Sequence, residues 1–165
     1  LEEGQYGVYN NDPLNADIYG NLYNWAVVND ERGVCPEGFH VPSDAEFMEL
    51  EIFFGMSEVY ANSFGWNRGE NEGSILAGNS ELWSDGNLEN NPDFGTSGFN
   101  GLPTGYRDHT LDVSYFSLGE YGSFWTSSDG GGDIAWFRRL GYVYSSIARF
   151  NYWKQDGFSV RCVGD

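Results

Sequence analysis

Side chains that could bind a metal ion through oxygen are concentrated in short Asn- and Asp-rich segments. Asn91-Pro92-Asp93 follows Asn87 and Glu89, so several amide and carboxylate oxygens lie within a few residues of one another. A similar group of donors consists of Asp12, Asn15 and Asp17. Calcium prefers such hard oxygen ligands, but Asn and Asp also stabilise ordinary turns. Calcium, with Asn91 and Asp93 as candidate ligands, is therefore the one cofactor that the sequence leaves open.

Groups that could carry out catalysis are few. His40 and His109 are the only imidazoles, and we expect each to be a structural or surface residue. The sequence has no Gly-x-Ser-x-Gly elbow, phosphate-binding loop or His-Glu-x-x-His pattern. A glycosidase needs only two carboxylates, and among 25 Asp and Glu residues no pair stands out. We therefore predict that the protein is not an enzyme, and we assign no catalytic residue.

A late segment has the side-chain composition of a binding surface. Its candidate contact residues are Tyr142, Tyr144, Arg149, Asn151, Tyr152 and Trp153, joined by Trp125 from an earlier strand. Rigid aromatic rings supply contact area at low entropic cost, and small polar groups adapt to a ligand. The alternative is a plain pair of strands whose aromatic rings lie half in the core. The sequence does not decide between the two.

The two cysteines predict one disulfide, Cys35–Cys162. The bridge would close a loop of more than a hundred residues, and two cysteines are too few for a zinc site. Two buried, inert thiols are the alternative. If the bridge forms, the protein belongs to an oxidising compartment.

Length and composition set the broad class. A chain of 165 residues, with 40% hydrophobic and 18% aromatic residues, fits a single folded domain over residues 1–165. The net charge of -17 disfavours nucleic acid and anionic membranes as partners. No apolar run approaches the ~18 residues of a membrane span, and the first residues lack a signal-peptide pattern. We therefore expect no membrane span in this chain.

Positive charge is concentrated near the end of the sequence. Residues 138–165 contain five cations and two carboxylates, a net charge of +3. We expect these cations to pair with the acidic remainder of the chain. A cationic patch for an anionic ligand is the alternative.

Local patterns predict the elements that must position these side chains. A short strand precedes the Asn10-Asn11-Asp12-Pro13 turn, and a helical stripe begins at Leu22 and ends near Asn29. Ser43 and Glu46 form a capping box at the start of a helix that runs to Gly55.

The rest of the chain divides into loops and strands. Residues 56–106 have no sustained period, which predicts long ordered loops. Alternation predicts strands at 124–127, 133–140 and 158–163, with a tight turn at 129–132 and with Cys162 facing the core.

Six sequence blocks in order resemble one family, the Fibrobacter succinogenes major paralogous domain. They lie at residues 19–25, 35–47, 97–107, 124–128, 135–138 and 157–163. The resemblance covers nearly the whole chain, although the N-terminal part of the family pattern, ahead of the strand near Tyr9, is missing or shortened here. Each cysteine lies inside one of these blocks.

The resemblance implies an α+β, C-type-lectin-like fold related to the formylglycine-generating sulfatase modifiers. That fold has two helices, small twisted antiparallel sheets and long ordered loops. Lectins of this type bind sugar through calcium at a Glu-Pro-Asn or Gln-Pro-Asp loop followed by Trp-Asn-Asp. Asn91-Pro92-Asp93 is similar to the first motif, and the second is absent. Related modifying enzymes use a close pair of reactive cysteines, whereas both cysteines here occupy structural positions.

The family resemblance implies a bacterial, exported or lipid-anchored surface protein without established enzymatic activity. We therefore expect a non-catalytic, extracellular or cell-surface module for adhesion or ligand binding, with a protein or a glycan as its partner. A structural or assembly module is the first alternative, and a carbohydrate-active enzyme is the second. The oligomeric state is left open.

Overall fold

A six-stranded sheet is the central element of the computed structural model, which describes residues 3–110 and 114–165. The helices of these residues are α1 (Pro13–Tyr19), α2 (Trp25–Val28), α3 (Asp44–Phe53), α4 (Glu58–Asn62) and α5 (Glu72–Leu76). The strands are β1 (Tyr6–Gly7), β2 (Leu22–Tyr23), β3 (Phe39–His40), β4 (Gly65–Arg68), β5 (Thr104–Asp108), β6 (Ser114–Leu118), β7 (Tyr121–Gly131), β8 (Ile134–Gly141), β9 (Ile147–Trp153) and β10 (Val163–Gly164). Short 3-10 turns cover Tyr9–Asn11 and Ser80–Leu82. The α+β class is confirmed.

The central sheet has the order β4-β9-β8-β7-β5-β6. All of its neighbours are antiparallel except β5 and β7, which meet in parallel at Gly105 and Gly122. The hairpin between β7 and β8 turns at Gly132 and Asp133, and Gly131 before it has a φ of 86° that favours glycine. Two small sheets, β1-β2 and β3-β10, lie outside the central one.

The capped helix predicted from Ser43 is confirmed as α3. The Ser43 hydroxyl accepts a hydrogen bond from the backbone N–H of Glu46, and the Glu46 carboxylate accepts one from the backbone N–H of Ser43. Phe47 lies on the buried side of the helix. The helix ends at Phe53, ahead of Gly55, as its apolar stripe predicted.

The N-terminal prediction was partly wrong. The stretch after Asp12 is the helix α1 rather than a turn, because the Asp12 carboxylate caps it and Pro13 occupies its first turn. The stripe that begins at Leu22 combines a strand, β2, with a helix of only four residues, α2. Two helices were therefore too few.

The prediction of unbroken loops over residues 56–106 was also wrong in part. The helices α4 and α5, the strand β4 and the start of β5 lie within this range, and the remainder is loop apart from the 3-10 turn at Ser80–Leu82. Each of these elements is short, so no sustained sequence period marks it. The strand predicted at 158–163 is mostly a set of isolated bridges at Phe158 and Ser159, with regular pairing only in β10.

Adjacent residues of the central strands point to opposite faces of the sheet and supply two separate cores. On one face Phe124 and Leu140 pack with Phe47 of α3. On the other face Trp125 and Phe137 pack with residues that include Trp25 and Phe158. The strand prediction at 124–127 and 133–140 is confirmed, and α3 belongs to the first face only.

A buried ionic cluster joins α3 to the central sheet. Both oxygens of Glu51, which is fully buried, accept hydrogen bonds from Arg68 Nη1 and Nη2 at 3.1 and 2.6 Å. Arg138 Nε also donates to Glu51, at 2.6 Å, and Arg138 Nη1 donates to Asp44 at 2.6 Å. Arg149 completes the cluster with two hydrogen bonds to Asp44. Two carboxylates of one helix are therefore paired with three guanidinium groups from three strands inside the fold.

The pKa of Asp44 reflects this environment. Burial raises the pKa, but hydrogen bonds and charge attraction from Arg149 and Arg138 together lower it below its usual range. The stability that Asp44 contributes is thus present above the pKa of an unfolded aspartate and is lost as the pH falls through the lowered folded value.

The C-terminal cations are mainly paired within the chain, as predicted. Arg138 and Arg149 bind carboxylates of α3, and Lys154 forms an ion pair with Asp129 at 2.8 Å. Arg139 and Arg161 have no such pair among the residues that the structure describes. The internal-pairing interpretation therefore holds for three of the five cations.

The predicted disulfide Cys35–Cys162 is present, with Cα atoms 5.8 Å apart and a sequence separation of 127. Beside it β3 pairs with β10, so the bridge and the small sheet together hold the end of the chain against the segment before α3. The prediction that Cys162 faces the core was wrong. Both cysteines are half-buried, because the strand alternation assumed for 158–163 does not continue to Cys162.

Replacing both cysteines, as Cys35→Ala with Cys162→Ala, should destabilise the protein by about 4 to 5 kcal/mol. In the chain-entropy model a closed loop of more than a hundred residues confers this much. Urea denaturation of the oxidised protein and of the double variant measures the difference. Equal unfolding midpoints would contradict the role assigned to the bridge.

The variant Glu51→Gln should lower the free energy of unfolding by roughly 3 to 5 kcal/mol, because two buried guanidinium groups lose their shared carboxylate. Glu49→Gln, an exposed position on the same helix, is the matched control and should change stability by less than about 0.5 kcal/mol. Chemical denaturation followed by tryptophan fluorescence measures both. Equal effects of the two variants would disprove the importance of the cluster.

Candidate functional site

The seven candidate contact residues do not form one surface. Trp125 is completely buried, and its indole N–H donates to the backbone oxygen of Tyr23. Tyr142 is partly buried against the core cluster that contains Phe47. Trp125 was therefore wrongly placed at a contact surface, because its strand position directs it into the second core.

Alternation along β9 directs Arg149 and Asn151 to the face opposite that of Tyr152. The Arg149 guanidinium binds Asp44 and lies 4.1 Å from the centre of the Trp136 ring. Asn151 is half-buried and pairs with Trp136 across the sheet. Arg149 is thus committed to the ionic cluster, and nothing in these contacts directs Asn151 toward a ligand.

Tyr144, Tyr152 and Trp153 keep accessible aromatic surface. Tyr144 stacks on Trp66 with ring centres 4.8 Å apart and is half-buried. Tyr152 and Trp153 are 43% and 45% exposed. The interpretation of the late segment as a strand pair is correct for β8 and β9, and at these three positions the strands also present aromatic surface.

The neighbouring arginines Arg138 and Arg139 have opposite environments. Alternation along β8 directs Arg138 toward Glu51 and Asp44, and it directs Arg139 to the other face of the sheet. There the Arg139 Nε donates a hydrogen bond of 2.8 Å to the Ser123 hydroxyl. Only Arg138 can therefore take part in the ionic cluster.

Aromatic rings surround the Arg139 guanidinium. Its central carbon lies 5.0 Å from the ring centre of Tyr106 and 5.2 Å from that of Tyr121. The rings of Phe137 and Phe158 are at 5.1 and 5.6 Å and belong to the buried core beneath. Cation–π attraction to several rings stabilises a guanidinium that has left bulk water.

Arg139 is half-buried and has no carboxylate within ion-pair distance in the described part of the chain. Burial lowers the pKa of Arg139, while the surrounding tyrosines and Asp156 act in the opposite direction. The group stays charged because an arginine pKa begins far above neutrality. Its terminal nitrogens are thus donors that the fold has not paired with an acid.

Further rings extend this environment across the sheet. Trp66 lies 5.8 Å from Tyr121 and 5.5 Å from Phe150, and it stacks on Tyr144. On the other side Tyr152 contacts Phe137 and Phe158. We call this surface the Arg139 face, defined by Arg139, Tyr106, Tyr121, Trp66, Tyr144 and Tyr152. Every member is half-buried or exposed.

The calcium candidates are engaged in turns. The Asn91 side-chain oxygen accepts a hydrogen bond from the backbone N–H of Asp93, and the Asp93 carboxylate accepts one from the Asn71 amide at 2.6 Å. Asp12 caps α1, and Asn87 donates to the backbone oxygen of Val143. These hydrogen bonds are typical of the ordinary Asn and Asp turns that were the alternative to a calcium site. Calcium binding at Asn91 and Asp93 stays a prediction.

Both histidines are bonded to carboxylates. His40 contacts Asp165 through Nδ1 and Glu46 through Nε2, each at 2.7 Å, and these contacts raise its pKa. His109 Nδ1 lies 2.5 Å from Oδ1 of Asp156, which is completely buried. Asp108, His109 and Asp156 are the described residues that come together as a possible metal-binding group.

The sequence analysis missed four members of the Arg139 face: Trp66, Tyr106, Tyr121 and Arg139. The pair Arg138-Arg139 in a predicted strand could have indicated Arg139. Adjacent residues of a strand point to opposite faces, so both arginines cannot reach the same carboxylates. No local pattern brings Trp66 beside Tyr121, because β4 and β7 are separated in the sheet by β9 and β8.

The sequence predicted that this chain contains no membrane span. Among the described residues, the helices lack the length and apolar content needed to cross a membrane.

Comparison with known proteins gave one match. The family model described as the Fibrobacter succinogenes major domain matches residues 1–164. Neither a curated protein nor a solved structure matched the chain. The family resemblance found in the sequence blocks is thus confirmed over nearly the full length.

Proposed function

The chain belongs to the Fibrobacter succinogenes major domain family, and we propose that it is a non-catalytic binding module whose Arg139 face contacts a glycan. The observation that carries this proposal is the set of accessible aromatic rings around a guanidinium without an acidic partner. Aromatic rings pack against the C–H faces of sugar rings, and guanidinium N–H groups donate hydrogen bonds to oxygen. The two kinds of contact are adjacent here.

The size of the Arg139 face favours a glycan over a protein as its ligand. Stable protein interfaces take about 20 to 30 residues from each partner. The Arg139 face has five aromatic side chains grouped around one charge, which is enough to contact one or two sugar rings. A protein ligand would have to extend well beyond it.

The charge of the whole chain favours a neutral glycan. With a net charge of -17 the molecule repels a polyanion, and a single arginine does not offset that repulsion. Arg139 therefore acts as a hydrogen-bond donor to hydroxyl or carbonyl oxygens. The C-type-lectin-like fold, which the family resemblance implied, is compatible with such a ligand but does not require it.

The disulfide supports an exported protein. Bridges of this kind persist in oxidising compartments and are rare in reducing ones. We place the module outside the cell or on the bacterial cell surface, where polymeric glycans are available as ligands.

Affinity electrophoresis in gels containing soluble xylan, mixed-linkage β-glucan or polygalacturonate tests the proposal. We expect at least one neutral polysaccharide to retard the protein, and polygalacturonate to leave its mobility unchanged. Tyr152→Ala and Arg139→Gln should each weaken the association by roughly five- to tenfold, which corresponds to about 1 to 1.4 kcal/mol.

Two variants serve as controls. Tyr60→Ala removes an exposed ring on α4, and Arg161→Gln removes an exposed arginine that lies 5.3 Å from the Phe99 ring. Neither should alter retardation. Binding that survives both Arg139-face variants, or that depends equally on the controls, would refute the assignment of this face. Exclusive binding to polygalacturonate would refute the preference for neutral sugars.

A separate observation favours the alternative of an assembly module. Phe53 and Val59 are each 80% exposed at the end of α3 and the start of α4. Phe53 also lines a groove of about 410 Å³ together with Leu50, Phe99 and Val163 among others. Apolar surface of this kind marks contact sites when it is contiguous.

Sedimentation velocity measures self-association through this surface. If the alternative holds, the wild type should form a dimer at micromolar concentration, and Phe53→Ser should shift it to the monomer. Glu49→Gln, which lines the same groove without supplying a ring, is the control. The protein is also measured at about 100 μM, well above the micromolar concentration at which the dimer is expected. A wild-type protein that is still monomeric there would exclude assembly through this surface.

A further inference from the structure

A group of three side chains lies at the end of β5, outside the Arg139 face. Asp108, His109 and Asp156 each have a potential ligand atom, and these atoms lie within 4.8 Å of one another. Asp108 and His109 come from the end of β5 and the turn after it, while Asp156 lies beyond β9. We call this group the His109 cluster.

Asp156 is the unusual member of the His109 cluster. The residue has no exposed surface, and its Oδ1 accepts hydrogen bonds from His109 Nδ1 at 2.5 Å and from the His109 backbone N–H at 3.1 Å. Its Oδ2 is buried and has no hydrogen-bond partner among the described residues. A buried carboxylate oxygen without a partner is costly, so a fold that retains one offers a vacant ligand position.

Two other buried carboxylates of this protein are bound by arginines. Glu51 is bound by Arg68 and Arg138, and Asp44 is bound by Arg138 and Arg149. Within the described part of the chain, Asp156 has only the imidazole of His109 at ion-pair distance. Its buried negative charge is therefore less completely compensated than that of Glu51, and a cation would supply what arginine supplies elsewhere.

We propose that the His109 cluster binds one divalent transition-metal ion of the Zn²⁺ class. A neutral imidazole together with carboxylates suits Zn²⁺, whereas Ca²⁺ selects sites made only of oxygen. The metal would coordinate His109, Asp108 and Asp156, and three protein ligands leave a fourth position for water. Coordination replaces the hydrogen bond between His109 and Asp156 and gives the second oxygen of Asp156 a partner.

Metal binding here would fix the end of β5 to the segment after β9. Arg107 and Gly157 already form a bridge between these two parts of the chain, and the ring of Trp153 lies 6.1 Å from that of His109. Tyr106 of the Arg139 face lies two residues before Asp108 on β5. The site takes no direct part in the proposed glycan contact, although it would hold one wall of the Arg139 face in place.

Zinc titration of the chelator-treated, oxidised protein tests the proposal directly. Because the chain has only two histidines, the ring C–H resonances in NMR spectra can be assigned with a single variant, His40→Ala. We expect the His109 resonances to shift with saturation at one equivalent of Zn²⁺, and isothermal titration calorimetry should give the same stoichiometry. Calcium at the same concentrations should leave these resonances unchanged.

His40 provides the matched control, because its half-exposed imidazole also contacts two carboxylates, Glu46 and Asp165. His40→Ala should leave zinc affinity unchanged, whereas His109→Ala and Asp156→Asn should each weaken it at least about tenfold. Asp108→Asn, at a half-buried position, repeats the test with less risk to folding. Near-UV circular dichroism confirms that each variant keeps the native fold.

Three results would overturn the proposal. The first is the absence of saturable zinc binding by the wild type up to about millimolar concentration, a weak limit for any specific site. The second is binding that His40→Ala abolishes and the His109-cluster variants do not. The third is calcium binding at His109 without zinc binding. None of these results bears on polysaccharide retardation, so this proposal and the glycan proposal can fail separately.

Discussion

The ion pairs around Glu51 position the rest of the molecule. Arg68 reaches this carboxylate from β4 at the sheet edge, and Arg138 reaches it from β8 in the middle of the sheet. A buried carboxylate shared by two guanidinium groups tolerates little displacement, because any shift leaves a charge without its partner. The helix α3 is thereby fixed against the sheet at one register, with Phe47 directed into the core.

The position of Arg138 on one face of β8 determines that Arg139 lies on the opposite face of the sheet. With Arg138 committed to Glu51, the strand must direct Arg139 to the opposite face, where its Nε binds the Ser123 hydroxyl instead of a carboxylate. The aromatic rings of Tyr106, Tyr121 and Phe137 take the place of a carboxylate there. Such rings lower the cost of partial burial while leaving hydrogen-bond donors free for a ligand. Under the proposed function, structural and ligand-binding roles are therefore divided between two adjacent arginines.

The C-terminal segment is held in place by a covalent bond and a small sheet. The disulfide Cys35–Cys162 and the pairing of β3 with β10 hold the C-terminal segment against the region before α3. This covalent link constrains the unfolded chain more than it packs the folded one, since both cysteines are only half-buried. The scaffold is thus stabilised by ion pairs inside the fold and by a covalent link near its surface.

The sequence by itself determined the features that depend on local chemistry. Four features could be identified without coordinates, because each depends on a short sequence pattern or on the number of residues of one type. They are the Ser43–Glu46 capping box, the cysteine pair, the strands around Trp125 and Phe137, and the family blocks. The elements α1, α4 and β4 were not predicted, because each is too short to show a periodic pattern of apolar residues. Only the tertiary structure decided which aromatic rings are accessible: Trp125 and Tyr152 look alike in sequence, but one is buried and the other is 43% exposed. It also brought Asp156 to His109, and Trp66 to Tyr121, since contacts between distant segments follow from how the sheet orders its strands and not from any pattern within one of them.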